Sequence, residues 1–289
     1  VVGNHDLNFD SPTTEGAIST FSRFFGPGHY SFNRGAVHYV VLNDVFYHGA
    51  GYLGYITREQ LVWLENDLRL VEPGRPVIVA VHIPVMNTEY PRRRDSMALS
   101  STVANREELY RLLEPYNATI VSGHMHENEH LEDGGCKHHV AGTVCGGWWS
   151  GPIGYDGTPN GYPVYDIDGE QITHRYKATG LPFSHQLRAY PRGAEPQAPD
   201  EIVANVWDWD PSWTVVWYED GERRGEMARR IGVDPWAVER KAGPWLTGHL
   251  FYAPASASAR EIVVEATDGN GNRYTARVGD AMPDPAGWG

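Results

Sequence analysis

An α/β domain followed by a small all-β sandwich is the fold class this sequence predicts, and three observations carry it. Apolar runs alternate with helical periodicities over the first 126 residues. Beyond residue 127 the pattern changes to short strand-like segments separated by Asp-Gly turns. A polar, Pro-rich stretch from Pro191 to Asp200 then sets off the last 89 residues. The expected organisation is therefore an α/β domain over 1–190, a linker over 191–200 and a β-sandwich over 201–289.

In order, Val37 to Leu42 is β-rich and bounded by Gly35 and Asn43. Thr57 to Leu70 carries Leu61, Leu64 and Leu68 at helical spacing, continued by Val71 just beyond, with Thr57 as N-cap and Gln60 completing a capping box. Pro73 and Gly74 stop that helix, and Pro76 to Val81 is a short apolar strand of the kind covered on both faces. Asn105 to Glu114 reads as a second helix and Ala118 to Ser122 as another buried strand. Glu129–Glu132, Lys137–Val144, Tyr162–Ile167 and Gln171–Lys177 follow as strands, with turns at Asp133-Gly134-Gly135 and Asp168-Gly169. The sandwich is read from Ile202–Trp207, Trp213–Tyr218, Gly248–Tyr252, Glu261–Ala266 and Tyr274–Val278.

Composition narrows the function. With 24 Lys and Arg against 37 Asp and Glu, the net charge is −13, which argues against nucleic-acid partners and anionic membranes. No apolar run approaches the roughly 18 residues of a membrane span, so this is not an integral membrane protein of the helical kind. Thirteen histidines in an acidic chain hint at metal. Cys136 and Cys145 stand about 30 Å apart if the intervening chain is extended, too far for a mutual disulfide.

Three motifs close candidate strands, where open α/β sheets place their sites. Gly3-Asn4-His5-Asp6 follows Val1-Val2, His82 ends the apolar strand from Pro76, and Gly123-His124-Met125-His126 follows Ala118–Ser122. Taken singly, each has a bland reading as a turn or a satisfied histidine. Their order and common position are hard to explain that way.

That order resembles the calcineurin-like metallophosphoesterases. Phe24-Phe25-Gly26-Pro27, His38 to Asp44, Gln60 to Leu64, Gly147 to Gly151, Asp156 to Tyr162 and Asn205-Val206-Trp207 are similar to the bacterial branch with a C-terminal β domain. The resemblance implies a four-layer β-sandwich flanked by helices, with its first strands absent here. It also implies hydrolysis of phosphate mono- or diesters by a dinuclear metal centre and a bridging hydroxide. Asn4, His82 and His124 would ligate one ion and His126 the other. His5 would meet the substrate phosphate, and Asp6 would hold the His5 ring. The ligand types suit manganese, iron or zinc.

The family's opening Asp-x-His and Gly-Asp-x-x-Asp motifs do not occur in these 289 residues. The expectation is a C-terminal portion of a longer protein: two ions in the whole, one or none in this chain alone, and sheet edges open to self-association. The competing reading is a binding or scaffold module whose sandwich recognises glycan or protein.

Around the site, Arg92-Arg93-Arg94 reads either as a lid delivering guanidinium groups to a phosphate or as a solvated turn. Trp148 and Trp149 read as a platform for a glycan- or lipid-linked phosphate or as packing. Tyr47, Tyr52 and Tyr55 are candidates for the cleft rim, His130, His138 and His139 read as strand-surface residues, and Asp208, Asp210 and Asp268 as solvated turn carboxylates. Members of this branch look exported, so a periplasmic or extracellular location is expected, with the cytoplasm left open.

Overall fold

The computed structural model describes residues 1–49, 51–93, 95–147, 149–240 and 243–280. Arg94 and Trp148 lie outside the described residues. Two compact units emerge: residues 1–125, 129–141 and 166–173 form the first, and 126–128, 142–165 and the chain from 174 onward form the second. The Pro-rich stretch 191–200 falls inside the second unit.

The chain begins with α1 (Thr14–Ala17), α2 (Ser19–Phe25), β1 (Tyr30–Arg34), β2 (Val37–Val41), β3 (Val45–Tyr47), β4 (Tyr52–Gly54) and α3 (Arg58–Leu68). Then come β5 (Pro76–Ala80), α4 (Glu89–Arg92), α5 (Arg106–Leu113), β6 (Asn117–Ser122), β7 (Glu129–Asp133) and β8 (Cys136–Val140). A six-stranded sheet in the order β1-β2-β5-β6-β8-β7 organises the first unit, and β3 and β4 pair separately. Its centre is parallel, from β2 through β5 and β6 to β8. The edge pairs β1–β2 and β7–β8 are antiparallel.

The core explains the parallel centre. Val77, Val79 and Ile120 from the strands pack with Leu61, Leu64 and Leu68 of α3 and with Leu109 and Leu113 of α5. Burying such a side chain contributes roughly 1.5–3 kcal/mol. Thr57 caps α3 by accepting from the Gln60 N–H at 3.4 Å. The Gln60 side chain has a different job from the capping box expected of it. Its Oε1 accepts from the Asn43 N–H at 2.9 Å, and its Nε2 donates to the Asn43 carbonyl at 2.8 Å. The helix thereby grips the chain where β2 ends.

In the rest of the chain, β9 (Gly161–Asp168) and β10 (Gln171–Ala178) form a two-stranded ladder. They are followed by β11 (Leu187–Tyr190), β12 (Glu201–Val206), β13 (Thr214–Glu219), β14 (Glu222–Glu226), β15 (Ala228–Val233), α6 (Pro235–Glu239), β16 (Leu246–Pro254), β17 (Ile262–Thr267) and β18 (Arg273–Arg277). Two four-stranded sheets, β11-β12-β16-β15 and β14-β13-β17-β18, enclose a core of Ile202, Ala204, Val215, Phe251 and Val264. Trp213 and Trp217 pack against it, as their spacing predicts. The expected all-β sandwich is present. A second cluster, in which Ile153 meets Tyr190, Val203, Trp236 and Leu250, binds segment 142–165 into this unit.

Both cysteines are free. Among the described residues no helix is long and apolar enough to cross a membrane.

Candidate metal centre

β2, β5 and β6 are neighbours in the first unit's sheet, and the segments carrying Asp44, His82 and His124 follow their carboxyl ends, whereas Asn4 comes from a turn before the first strand. Gly123 donates its N–H to the His82 carbonyl at 3.1 Å, so His124 follows directly beside His82. Asp44, at the end of β2, braces the other side. Its Oδ1 accepts from the backbone N–H of His82 at 3.0 Å and of Ile83 at 3.3 Å. Asp44 is fully buried, and burial pushes its carboxyl up to about 7 against the opposing pull of those donors. The sequence offered Asp44 only as part of a family signature; its bracing role was not read.

Asn4 arrives from a 3-10 turn, Asn4–Asp6, that follows the buried Val2. The turn is closed by Asp6, whose N–H reaches the Gly3 carbonyl at 3.0 Å and whose Oδ2 accepts the Gly3 N–H at 2.8 Å. Asp6, expected to hold the His5 ring, thus holds the backbone turn that carries His5. His5 is exposed on that turn. A Cβ on Gly3 would stand 3.3 Å from Cε1 of His82, so glycine lets the turn approach that ring.

Three side-chain atoms then converge. Nε2 of His82 is 2.7 Å from Oδ1 of Asn4 and 3.2 Å from Nδ1 of His124. Two outer bonds fix which atoms face inward. Asn4 donates through Nδ2 to the Tyr52 hydroxyl at 3.1 Å, which turns Oδ1 toward His82. His124 donates through Nε2 to the Ser100 carbonyl at 2.9 Å, which leaves the Nδ1 lone pair facing His82. The proton on Nε2 of His82 therefore lies among acceptors. A divalent ion in its place would take lone pairs from one carboxamide oxygen and two imidazoles. Bond lengths of about 2.0–2.2 Å put neighbouring ligands about 3 Å apart, the spacing found here. The residues fit a metal. His124 also holds a left-handed backbone, φ 68°, a strain of the kind that collects at functional loops.

His126 belongs to the second unit. Its Nδ1 donates to the carbonyl of Gly147 at 2.6 Å, which leaves the lone pair on Nε2. The ring stacks on Tyr155, with centroids 6.0 Å apart, and meets Trp149 edge-on. Trp149 is more than half exposed and left-handed at φ 58°.

Behind His126 runs a buried polar network. Tyr155 donates its N–H to the His126 carbonyl, and Asn128 donates its N–H to Oδ2 of Asp156 at 2.7 Å. Asp156 also accepts from Thr158, and its Oδ2 lies 3.1 Å from Nε2 of His249. Nδ1 of His249 meets Oδ1 of Asn205 at 2.7 Å, and Nδ2 of Asn205 donates to Asp234 at 2.8 Å. Burial raises the Asp156 carboxyl, but the His249 hydrogen bond and charge with the two backbone donors outweigh it, and the result is a lowered pKa. Burial dominates at Asp234 and raises it.

Other expectations shift in the structure. Arg92 is buried, its Nε donating to the Thr88 carbonyl at 2.8 Å and its Nη2 facing Glu129 at 3.5 Å. Arg93 faces Glu89 at 3.6 Å. Arg92 is thus neither a solvated turn residue nor an exposed lid; the Thr88 carbonyl and hydroxyl and the Glu129 carboxylate hold it inward. Tyr52 reaches the site, whereas Tyr47 is buried and donates to the Phe9 carbonyl at 2.8 Å. His138 and His139 are buried and are not strand-surface residues. Asp208 and Asp268 are buried too: Asp208 accepts the Tyr176 N–H at 2.9 Å, and Asp268 gathers the turn 268–272.

Residues 1–128 match the model of the calcineurin-like phosphoesterases, and residues 138–274 match that of their C-terminal domain. The chain belongs to the calcineurin-like phosphoesterase family. It is 32% identical over 180 residues to the bovine (Bos taurus) serine/threonine-protein phosphatase CPPED1, a match covering 61% of this chain and 54% of that protein. The human protein of that name is 28% identical over 178 residues, with the same coverage. The 3',5'-cyclic-nucleotide phosphodiesterase alr5338 of Nostoc is 26% identical over 133 residues, covering 43% of this chain and 42% of that protein. The chain spans about half the length of the curated relatives it matches.

Proposed function

We propose that this chain carries part of the active site of a metal-dependent phosphoesterase, hydrolysing phosphate mono- or diesters. The convergence of Asn4 Oδ1, His82 Nε2 and His124 Nδ1 within 2.7 and 3.2 Å carries the reading. Relatives named as a protein phosphatase and as a cyclic-nucleotide phosphodiesterase support both ester classes.

Asn4, His82 and His124 would hold one divalent ion, with manganese, iron or zinc suiting the donor set, and His126 would serve a second. Such ions supply Lewis-acid stabilisation of phosphoryl charge and a water of lowered pKa. The chain's own residues do the rest. Asp44 and the β5–β6 register hold His82 against His124, and Tyr52 orients the Asn4 amide. His5, exposed on the turn beside Asn4, would donate to a phosphoryl or leaving oxygen.

The test is hydrolysis of p-nitrophenyl and bis-p-nitrophenyl phosphate by the full-length manganese-loaded protein. His5→Ala is expected to lower the rate by about 10²–10⁴-fold while leaving bound metal unchanged. His124→Ala is expected to lower both. Full activity in both variants would remove the reading.

A further inference from the structure

The second unit contains a cleft that the phosphoesterase reading does not use. It has a volume of about 450 Å³, within the range of small-molecule sites, and lies where β11 and β18, edge strands of the two sheets, come together. Arg188 lines it from β11, and Arg273 and Arg277 line it from β18. On β18, Arg273, Thr275 and Arg277 are exposed while Tyr274, between them, is buried, so the strand's alternation puts the polar three on one face. Ser184, His185 and Asp280 add to the polar lining.

Charge is what sets this cleft apart. In a chain of net charge −13, three arginines and one aspartate line one concavity. Arg277 is paired with Glu261. Among the described residues no ion pair engages Arg273, while the charge of Arg188 acts on the buried Asp234 carboxylate. Nη1 of Arg188 and Nδ1 of His185 are buried with no hydrogen-bond partner among the described residues. Buried polar nitrogens without partners are rare and call for an explanation. The Arg188 guanidinium carbon lies over Trp236, 4.4 Å from the ring centre.

We infer that this cleft is a binding site for a tetrahedral oxyanion, the phosphate or sulfate group of a small molecule, separate from the metal centre. Guanidinium groups match such oxygens with paired charge-assisted hydrogen bonds.

The experiment is calorimetric titration of the full chain, stripped of metal with a chelator, with inorganic phosphate, sulfate, glucose 6-phosphate and glucose. Saturable binding of the three anions and none of glucose is expected. Tighter binding of the sugar phosphate than of sulfate would place the ester among physiological ligands; equal binding would limit the site to the free anion, and both outcomes keep an oxyanion site. Arg273→Ser is expected to weaken binding at least about tenfold, and Arg273→Ser with Arg277→Ser to abolish it. Both residues are exposed, so the fold should survive. His124→Ala should bind as the parent does. Absence of saturable binding would overturn the inference. So would binding that persists in the double variant, or that disappears in His124→Ala.

Discussion

Nε2 of His82 lies 2.7 Å from Oδ1 of Asn4, across 78 residues of chain. Neither side chain could hold that position alone. His82 is fixed by the Asp44 carboxylate at its backbone, and Asn4 by the Tyr52 hydroxyl at its amide nitrogen. Tyr52→Phe should leave the fold intact and free the Asn4 amide to rotate. A manganese titration should then show affinity lowered by about 10- to 100-fold, the usual cost of losing an outer-shell partner. Unchanged affinity would show that Tyr52 does not orient the amide.

Asp44 should matter through shape and acceptors. Asp44→Ala leaves the His82 and Ile83 N–H groups without their buried acceptor, at a cost of about 1–3 kcal/mol each. Asp44→Asn keeps an oxygen in place and should recover most of that loss. Denaturant unfolding of both variants measures the difference. Equal stability of the two would contradict the bracing role.

Asp156 should be among the costliest positions in the second unit. Asp156→Ala strands the Asn128 N–H, the Thr158 hydroxyl and the His249 ring in the interior, and about 3–5 kcal/mol of stability should go with them. Gly157 beside it has φ 79°, and a Cβ there would come within 2.1 Å of Asp234, so Gly157→Ala should be comparably severe. Chemical denaturation gives both values. A loss below about 1 kcal/mol at Asp156 would mean that the network is not under strain from burial.

His138 should make part of the acid sensitivity. Burial lowers its pKa below the unfolded value, outweighing the Asp133 carbonyl and the charges of Asp133 and Glu129 that act the other way. The unfolded chain therefore binds this proton more readily. Stability contributed by the neutral ring is complete above the unfolded pKa of about 6.5 and is lost as pH falls below it. Comparing unfolding free energies from pH 7 to 5 (about one and a half units below the unfolded pKa), His138→Gln should show a shallower fall than the parent. An identical slope would assign the acid limb to other groups.

The sequence showed the core elements of the first unit clearly, because Leu61, Leu64 and Leu68 keep helical spacing and Val77 to Val81 is an unbroken apolar run. It also showed the ligand candidates, His82 and His124 because each stands where a strand stops, and Asn4 although Val1-Val2 before it form no strand. It did not show β14 or β15. Both are edge strands whose exposed, Arg- and Glu-rich side chains lack an apolar alternation. Nor did it show that residues 142–165 share a core with the sandwich, because the packing of Ile153 on Trp236 joins positions 83 residues apart. Arg92 misled for a similar reason. Three successive arginines look solvated in sequence, and only the fold reveals that Thr88 and Glu129 receive the first of them.

The central claim is that Asn4, His82 and His124 form one ligand set. Manganese titration of the chain, followed by calorimetry and elemental analysis after gel filtration, tests it without reference to turnover. A saturable site is predicted, weakened more than about tenfold in Asn4→Ala, His82→Ala and His124→Ala alike. Undiminished metal binding in these three variants, each still folded by circular dichroism, would contradict it.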